Sequence, residues 1–118
     1  MIHSSEYLIE LIEKTIQNTD FNKQPHTLFK PIEYILSLGG KRIRPLLTLM
    51  ANNLYTDNVE YALSSAIGIE IFHNFTLLHD DLMDKSDMRR GMQTVHKKWD
   101  ANTAILSGDA MLIEAYKY

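Results

Sequence analysis

A stretch of roughly thirty residues, between Asp57 and Gly91, contains no proline and would form a helix of about 45 Å. Between Ala62 and Leu78 the predicted helix is apolar on nearly every side. A helix that is apolar all round must be surrounded by protein. The remaining sequence predicts too few helices to enclose it. We therefore expect the chain to be part of a larger all-α domain, or to cover this helix by dimerisation.

Helical periodicity extends over the rest of the chain, so the predicted fold class is all-α. Ser5 is predicted to cap the first helix, and Asp57 with Glu60 to cap the central one. Pro31 suits the first turn of a short second helix, and Pro45 the first turn of the third. The predicted boundaries are Leu38 for the end of the second helix, Ile43 to about Asn53 for the third, and about Asn102 to Tyr118 for the last.

The charge balance and residue usage exclude several classes of protein. With 12 basic and 15 acidic residues, the formal net charge is −3, which argues against nucleic-acid binding by bulk electrostatics. Cysteine is absent, so disulfides and thiolate metal sites are excluded. The N-terminus lacks the basic and apolar pattern of a leader, and no apolar run approaches the ~20 residues of a membrane span. We expect a soluble, cytoplasmic protein.

The strongest chemical signal is an acidic cluster at the end of the apolar run, formed by Asp80, Asp81 and Asp84. Asp80 and Asp84 would share one helix face, about one turn apart. Like charges so placed repel each other unless a cation lies between them. Mg²⁺ suits this spacing because it usually takes only one or two protein carboxylates and keeps its other positions for water and phosphate oxygens. The competing interpretation is a solvated, acidic helix end.

Two arginines, Arg89 and Arg90, follow the acidic cluster and are predicted to end the helix that carries it. Arginine binds phosphate through two parallel hydrogen bonds. Beside the carboxylates, the pair therefore predicts a site for polyphosphate, held partly by metal and partly by guanidinium. The simpler interpretation is that both cations complement the negative end of the helix dipole.

A second anion-binding candidate precedes the third helix, where two glycines lead into Lys41 and Arg44. Free N–H groups and the dipole at a helix N-terminus favour phosphate. These two cations are close enough in sequence to point the same way, although a basic surface patch after a turn is the alternative. His73 lies on the same face of the central helix as Asp80, in surroundings that are also typical of a core histidine.

His79 and Asp80 raise a different hypothesis. Such a doublet binds metals in phosphohydrolases of the HD superfamily. Those enzymes need further His and Asp ligands on other helices, and the sequence assigns none of them.

Taken in series, these residues resemble the polyprenyl synthetase family, over nearly the whole chain from Leu36 onward. The matching segments, in chain order, are Gly39–Pro45, Glu70–His73, Leu77–Asp84, Arg89–Gly91, Thr94–His96 and Ala104–Ala110. Each segment alone is weak, but together they are specific and exclude the terpene cyclases that share only a DDxxD. The resemblance implies the isoprenoid synthase fold, an all-α helical bundle around a central cavity, usually as a homodimer.

The resemblance also implies a reaction, in which an allylic diphosphate ionises, condenses with isopentenyl diphosphate and loses a proton, in isoprenoid biosynthesis. Asp80, Asp84 and Arg89 match the catalytic residues. The matching ligand-binding residues are Asp80, Asp84 and, in support, Asp81 for Mg²⁺; Arg89 for the allylic diphosphate, which would be the dimethylallyl, geranyl or farnesyl compound; and Lys41, Arg44, His73 and Arg90 for isopentenyl diphosphate.

Two residues before the acidic cluster bear on product length. In this family a bulky aromatic residue at the position of Phe75 resembles the floor of the short-chain enzymes. Thr76 is not aromatic, and this combination resembles geranylgeranyl diphosphate synthases, with farnesyl diphosphate synthases as the alternative. Packing of Phe75 in the core is the simpler interpretation.

The chain departs from the family pattern in one respect. The second aspartate-rich motif is absent, so we expect residues 1–118 to be the N-terminal part of a single polyprenyl synthetase domain. The alternative function is a non-catalytic helical subunit or fragment of a prenyl synthase that acts through assembly.

Overall fold

The structure, a computed structural model, describes all 118 residues, and most of them are helical. The elements, in chain order, are α1 (Ser5–Asn18), α2 (His26–Ser37), α3 (Ile43–Asn53), a 3₁₀ turn (Val59–Ala62), α4 (Leu63–Met83), β1 (Met88–Arg89), β2 (Met92–Gln93), α5 (Val95–Lys98) and α6 (Ala101–Ala115). The predicted all-α class is confirmed. None of the helices combines the length and the hydropathy needed to cross a bilayer.

The core forms around α4, as the apolar run predicts. Helix α4 packs against both α3 and α6, while α1 packs against α3 and α2 packs against α6. Ile67, Ile71 and Leu78 of α4 are each 1% exposed. Ile69 and Phe72, on the same helix, remain 40% and 37% exposed. The helices of this chain therefore bury only part of α4, in agreement with the expectation from the sequence.

Helix α6 lies close to α4 because it carries a glycine at the contact. A Cβ atom at position 108 would lie 2.1 Å from Nε2 of His79, so only Gly108 leaves room for that ring. The helix begins after Asp100, whose carboxylate accepts a hydrogen bond from the Thr103 N–H (2.7 Å). It ends at Ala115, so the predicted extension to Tyr118 is wrong by one turn.

The central helix is shorter than its uninterrupted pattern suggests. Its first turn is 3₁₀, and Asn58 rather than Asp57 caps it by accepting from the Glu60 N–H (3.1 Å). Helix α4 then ends at Met83, and Lys85 adopts a left-handed conformation (φ 55°). The prediction that Arg89 and Arg90 end this helix is wrong, because both lie in the following β-hairpin. The carboxylates at this point are repelled by the negative, C-terminal end of the helix dipole. This repulsion disfavours further helix and so favours an end of α4 at Met83.

Two boundaries near the N-terminus also differ from the prediction. Ser4 rather than Ser5 caps α1, and its hydroxyl accepts from the Tyr7 N–H (3.2 Å). Helix α2 begins at His26, directly after Pro25, so Pro31 lies inside the helix and not in its first turn. The ring of Pro31 is fully buried, and this packing offsets the backbone hydrogen bond that proline cannot donate.

We expect the substitution Ile71→Ala to lower the free energy of unfolding by about 2–5 kcal/mol, because it leaves a cavity where α4 is fully enclosed. Ile69→Ala removes the same atoms from an exposed position of the same helix and should cost less than about 1 kcal/mol. Urea unfolding of both variants measures the difference. Equal losses would show that α4 is not the centre of the core.

Candidate active site

A basic cavity opens between the start of α3, the middle of α4 and the hairpin. Its volume is about 480 Å³. The charged and imidazole side chains that line it are Lys41, Arg42, Arg44, Arg90, Glu70 and His73. The structure thus brings together all four residues that the resemblance assigned to isopentenyl diphosphate. Four cations face one carboxylate, so the cavity suits an anion.

His73 is half-buried and faces this cavity. Nη1 of Arg44 donates to its Nε2 atom at 3.3 Å. Partial burial of the ring lowers the pKa of His73 below its usual value, and the nearby Arg44 lowers it further. The imidazole is therefore neutral at pH 7. It is not a core histidine satisfied by backbone, but a polar group of the cavity wall.

Arg90 reaches the cavity from the turn of the hairpin, where its backbone is left-handed (φ 51°). Its guanidinium lies against Gly40, and a Cβ atom at position 40 would be 2.8 Å from Nη2. Burial lowers the pKa of Arg90, and the neighbouring cations Arg42 and Arg89 lower it further. Like His73, this residue experiences an excess of positive charge, which a bound anion would relieve.

The acidic cluster lies at the C-terminal end of α4. Asp80 and Asp84 are exposed, and the Asp84 N–H donates to the Asp80 carbonyl at 2.8 Å, which fixes them one turn apart. Neither carboxylate has a hydrogen-bond or ion-pair partner. Both sit at the negative end of the helix dipole, so a cation fits this donor pair. No three His, Asp or Glu side chains of the chain converge in a metal-binding group.

Asp81 differs from its two neighbours because it is buried and paired. Its two oxygens accept from Nε and Nη2 of Arg89 at 2.7 and 2.8 Å. Hydrogen bonding to Asp81 raises the pKa of Arg89. The assignment of Asp81 as a supporting Mg²⁺ ligand stays a prediction, because Mg²⁺ could bind Asp81 only if the ion pair with Arg89 opened.

The hairpin that carries both arginines is fixed at its base. Buried Thr94 donates its hydroxyl to the Ser86 carbonyl (2.7 Å), and its N–H donates to the Asp87 carbonyl (3.0 Å). Tyr34 of α2 donates its hydroxyl to the Gln93 carbonyl (2.7 Å). Adjacent arginines are thereby directed to different places, Arg89 to the acidic cluster and Arg90 to the basic cavity.

Sequence reasoning assigned no role to Arg42. The side chain is only 3% exposed, and Nε donates to a carboxylate oxygen of Glu13 at 2.7 Å. Glu70, also buried, lines the same cavity and accepts from the Asn74 amide at 2.9 Å. The signal for these buried polar contacts in the sequence was the presence of two polar residues, Glu70 and Asn74, in an otherwise apolar run.

The remaining candidates lie on α4. Phe75 is half-buried and packs edge-to-face against Phe72 and His79, with ring centroids 5.2 Å apart in each pair. Thr76 donates its hydroxyl to the His73 carbonyl (2.6 Å). Nε2 of His79 donates to the Ile105 carbonyl of α6 at 3.0 Å. His79 therefore packs against α6, and the further His and Asp ligands that a metal-binding doublet with Asp80 would need do not converge there.

Comparisons with known proteins show the family and the fold of the chain. The polyprenyl synthetase family profile matches residues 25–118. Geranylgeranyl pyrophosphate synthase of Geoglobus acetivorans is 40% identical over 108 residues, which cover 92% of this chain and 34% of that protein. A crystal structure of a geranylgeranyl pyrophosphate synthase superposes with a TM-score of 0.92 at 51% identity, over 98% of this chain and 35% of that one.

A long-chain enzyme has the same fold in this region. The crystal structure of heptaprenyl diphosphate synthase from Staphylococcus aureus gives a TM-score of 0.89 at 32% identity, over 99% of this chain and 37% of that one. The chain thus spans about a third of the length of the relatives it matches. Because the family profile covers most of its residues, the chain belongs to the polyprenyl synthetase family.

Proposed function

We propose that this chain supplies the two diphosphate sites of a Mg²⁺-dependent prenyltransferase, which condenses isopentenyl diphosphate with an allylic diphosphate. One observation carries the proposal. A single hairpin, which hydrogen bonds fix at its base, directs Arg89 to the acidic cluster and Arg90 to the basic cavity. Two diphosphates bound at these places would lie on either side of the hairpin, along the same helix α4.

The two sites would bind diphosphate by different means. Lys41, Arg44 and Arg90 offer enough positive charge to hold the diphosphate of isopentenyl diphosphate directly, and His73 is placed to add a hydrogen bond. The acidic cluster repels a diphosphate unless Mg²⁺ neutralises it, and Asp80 with Asp84 would hold that ion. Mg²⁺ there would supply electrostatic stabilisation of a departing diphosphate.

The residues of this chain would act mainly by placing charge. In the proposed reaction the C–O bond of the allylic diphosphate breaks, and diphosphate leaves with the electron pair. Arg89 is oriented by Asp81 to stabilise the negative charge that develops on it. The isopentenyl double bond then forms the new C–C bond, and the resulting cation loses a proton. The departing diphosphate is the proposed base.

The proposal extends to product and assembly. Phe75 and Thr76 lie toward the N-terminus of α4 from the acidic cluster, where a growing chain would run along the helix. A short product, geranylgeranyl or farnesyl diphosphate, is the one we propose. Homodimer formation is part of the proposal too, and exposed apolar side chains of α6, such as Leu106 and Ile113, are available for it.

Turnover is the direct test of the function. We expect the prenyltransferase that contains these two sites to convert isopentenyl diphosphate and an allylic diphosphate to a prenyl diphosphate in Mg²⁺ but not in EDTA, as measured by mass spectrometry. Asp84→Asn should lower kcat by about 10²-fold or more, since charge stabilisation in the transition state is lost. Asp87→Asn is the matched control, because Asp87 is exposed and pairs with Lys97.

Two outcomes would contradict the function. Equal product in EDTA would remove the role of the metal. Absence of product with every allylic diphosphate, while Mg²⁺-dependent diphosphate binding is intact, would favour the non-catalytic subunit.

Arg89 and Arg90 should have separable roles. We expect Arg89→Lys to raise KM for the allylic diphosphate about tenfold, because lysine cannot form the bidentate contact with Asp81 that orients Arg89. Arg90→Lys should do the same for isopentenyl diphosphate, because lysine lacks the planar fork of donors that binds phosphate. Both variants keep the positive charge, so each serves as the control for the other. Steady-state kinetics with each substrate varied in turn measures the effect. Identical kinetic profiles for the two variants would contradict the assignment.

Phe75→Ala should lengthen the product if this ring closes the cavity, while activity is kept. If Phe75 only packs in the core, the product stays the same and stability falls, by up to about 3–5 kcal/mol. Phe72→Ala is the matched control, since Phe72 is the more exposed member of the same ring pair. Chromatography of the dephosphorylated products, together with thermal unfolding, distinguishes the two outcomes.

A further inference from the structure

We propose that Arg42 is a positioning residue for the basic cavity. Its buried guanidinium contacts three other helices and thereby fixes the start of α3. Lys41 and Arg44 are then held in the arrangement that binds a diphosphate. The inference rests on the proposed function of that cavity. It assigns a role to a residue that need not touch the substrate.

The backbone that leads into α3 is unusual. Gly39 and Gly40 have φ of 78° and 142°, and Arg42 itself is left-handed (φ 52°). This conformation is unfavourable for any residue that carries a Cβ atom. Two glycines leave the segment free to move, so the backbone alone does not fix its course. Something other than local preference must hold Arg42 in this conformation.

The side chain of Arg42 provides that constraint. Nε donates to Glu13 of α1 at 2.7 Å, and Nη2 donates to the carbonyl of Leu36 in α2 at 2.8 Å. Nη1 lies 3.6 Å from a carboxylate oxygen of Glu70 in α4. The planar guanidinium thus contacts three helices at once. A lysine ammonium, with one nitrogen, cannot reach partners in these three directions.

The consequence for the cavity lies in the flanking residues. Arg42 points inward and is 3% exposed, while Lys41 and Arg44 on either side are exposed and line the cavity. The 3.3 Å contact between Arg44 and His73 follows from this placement. Release of Arg42 would free the segment, and both flanking cations would lose their fixed positions.

Arg42 also lies beside Glu70, the one carboxylate of the cavity, and compensates its charge. Oε2 of Glu70 and Nη1 of Arg42 are both buried and have no hydrogen-bond partner. The guanidinium beside it neutralises Glu70, which would otherwise repel an incoming anion. Arg42→Lys keeps this charge and alters only the geometry, so it isolates the positioning role.

The test measures binding of inorganic diphosphate in EDTA by calorimetry. We expect Arg42→Lys to weaken Kd at least tenfold, although the residue need not touch the ligand. Lys41→Met, which removes a proposed direct contact, should weaken Kd to a similar extent. Lys30→Met is the control for a lost surface cation, because Lys30 pairs with Glu33 on α2, and its Kd should stay within twofold of the wild type.

A second readout separates positioning from loss of folded protein. The histidine Cε1 resonance of His73, assigned with His73→Gln, reports its pKa. In Arg42→Lys that pKa should rise toward the ordinary value, because Arg44 is no longer held beside the ring. A merely structural role would reduce the amount of folded protein and leave this titration unchanged.

A folded Arg42→Lys variant with wild-type Kd and an unchanged His73 titration would overturn the inference. If it fails to fold, Glu13→Gln replaces it, since Glu13 is a third exposed and holds Arg42 from outside. About a threefold weaker Kd is then expected, and wild-type affinity overturns the inference. Undiminished affinity in Lys41→Met, or no binding by the wild type, would instead contradict the proposed function of the cavity.

Discussion

The ion pair between Asp81 and Arg89 holds the hairpin against the end of α4. Both of its hydrogen bonds are short, and Asp81 is buried, so removal of one partner would cost about 3–5 kcal/mol by leaving a buried charge unpaired. The pair acts together with the hydrogen bonds of Thr94 and Tyr34 at the base of the hairpin, and the turn that follows Arg89 carries Arg90 toward Gly40. The basic cavity is complete only when the hairpin is in place.

The two candidate sites share helix α4 but have opposite charge. The acidic residues at the end of α4 need a cation between them before this site can accept a phosphate. The cavity near the middle of α4 already has an excess of cations and needs no metal ion. Partial burial lowers the pKa of His73 and of Arg90, and the neighbouring cations lower both further. A protein that must hold two diphosphates near each other gains from this division, because only one of them then depends on metal.

Much of the fold was predictable, because helical periodicity and buried apolar residues give strong signals. Helix α3 begins and ends as predicted, and α4 is the centre of the core. The end of α4 was not predictable from glycine or proline, since the helix stops at Asp84 and a left-handed Lys85. The hairpin is instead fixed by Thr94, which bonds to carbonyls at its base, and by Tyr34 of α2, whose long-range hydrogen bond leaves no local pattern in the sequence.

The candidate site was predictable as a set of residues but not as an arrangement. The resemblance named Lys41, Arg44, His73 and Arg90, and the structure brings these four residues together. It did not indicate that Asp81 is paired with Arg89, because a carboxylate's partner depends on tertiary structure. Nor did the sequence show that Arg42 points inward between two exposed cations. A run of basic residues has no periodicity that distinguishes a buried guanidinium from a solvated one.

We propose that one chain holds a metal-independent and a metal-dependent diphosphate site, and calorimetric titration with inorganic diphosphate, in EDTA and in excess Mg²⁺, distinguishes the two. We expect one bound diphosphate per chain in EDTA and two in Mg²⁺, with the second lost in Asp84→Asn and the first retained. The same stoichiometry under both conditions, or no binding without metal, would contradict it.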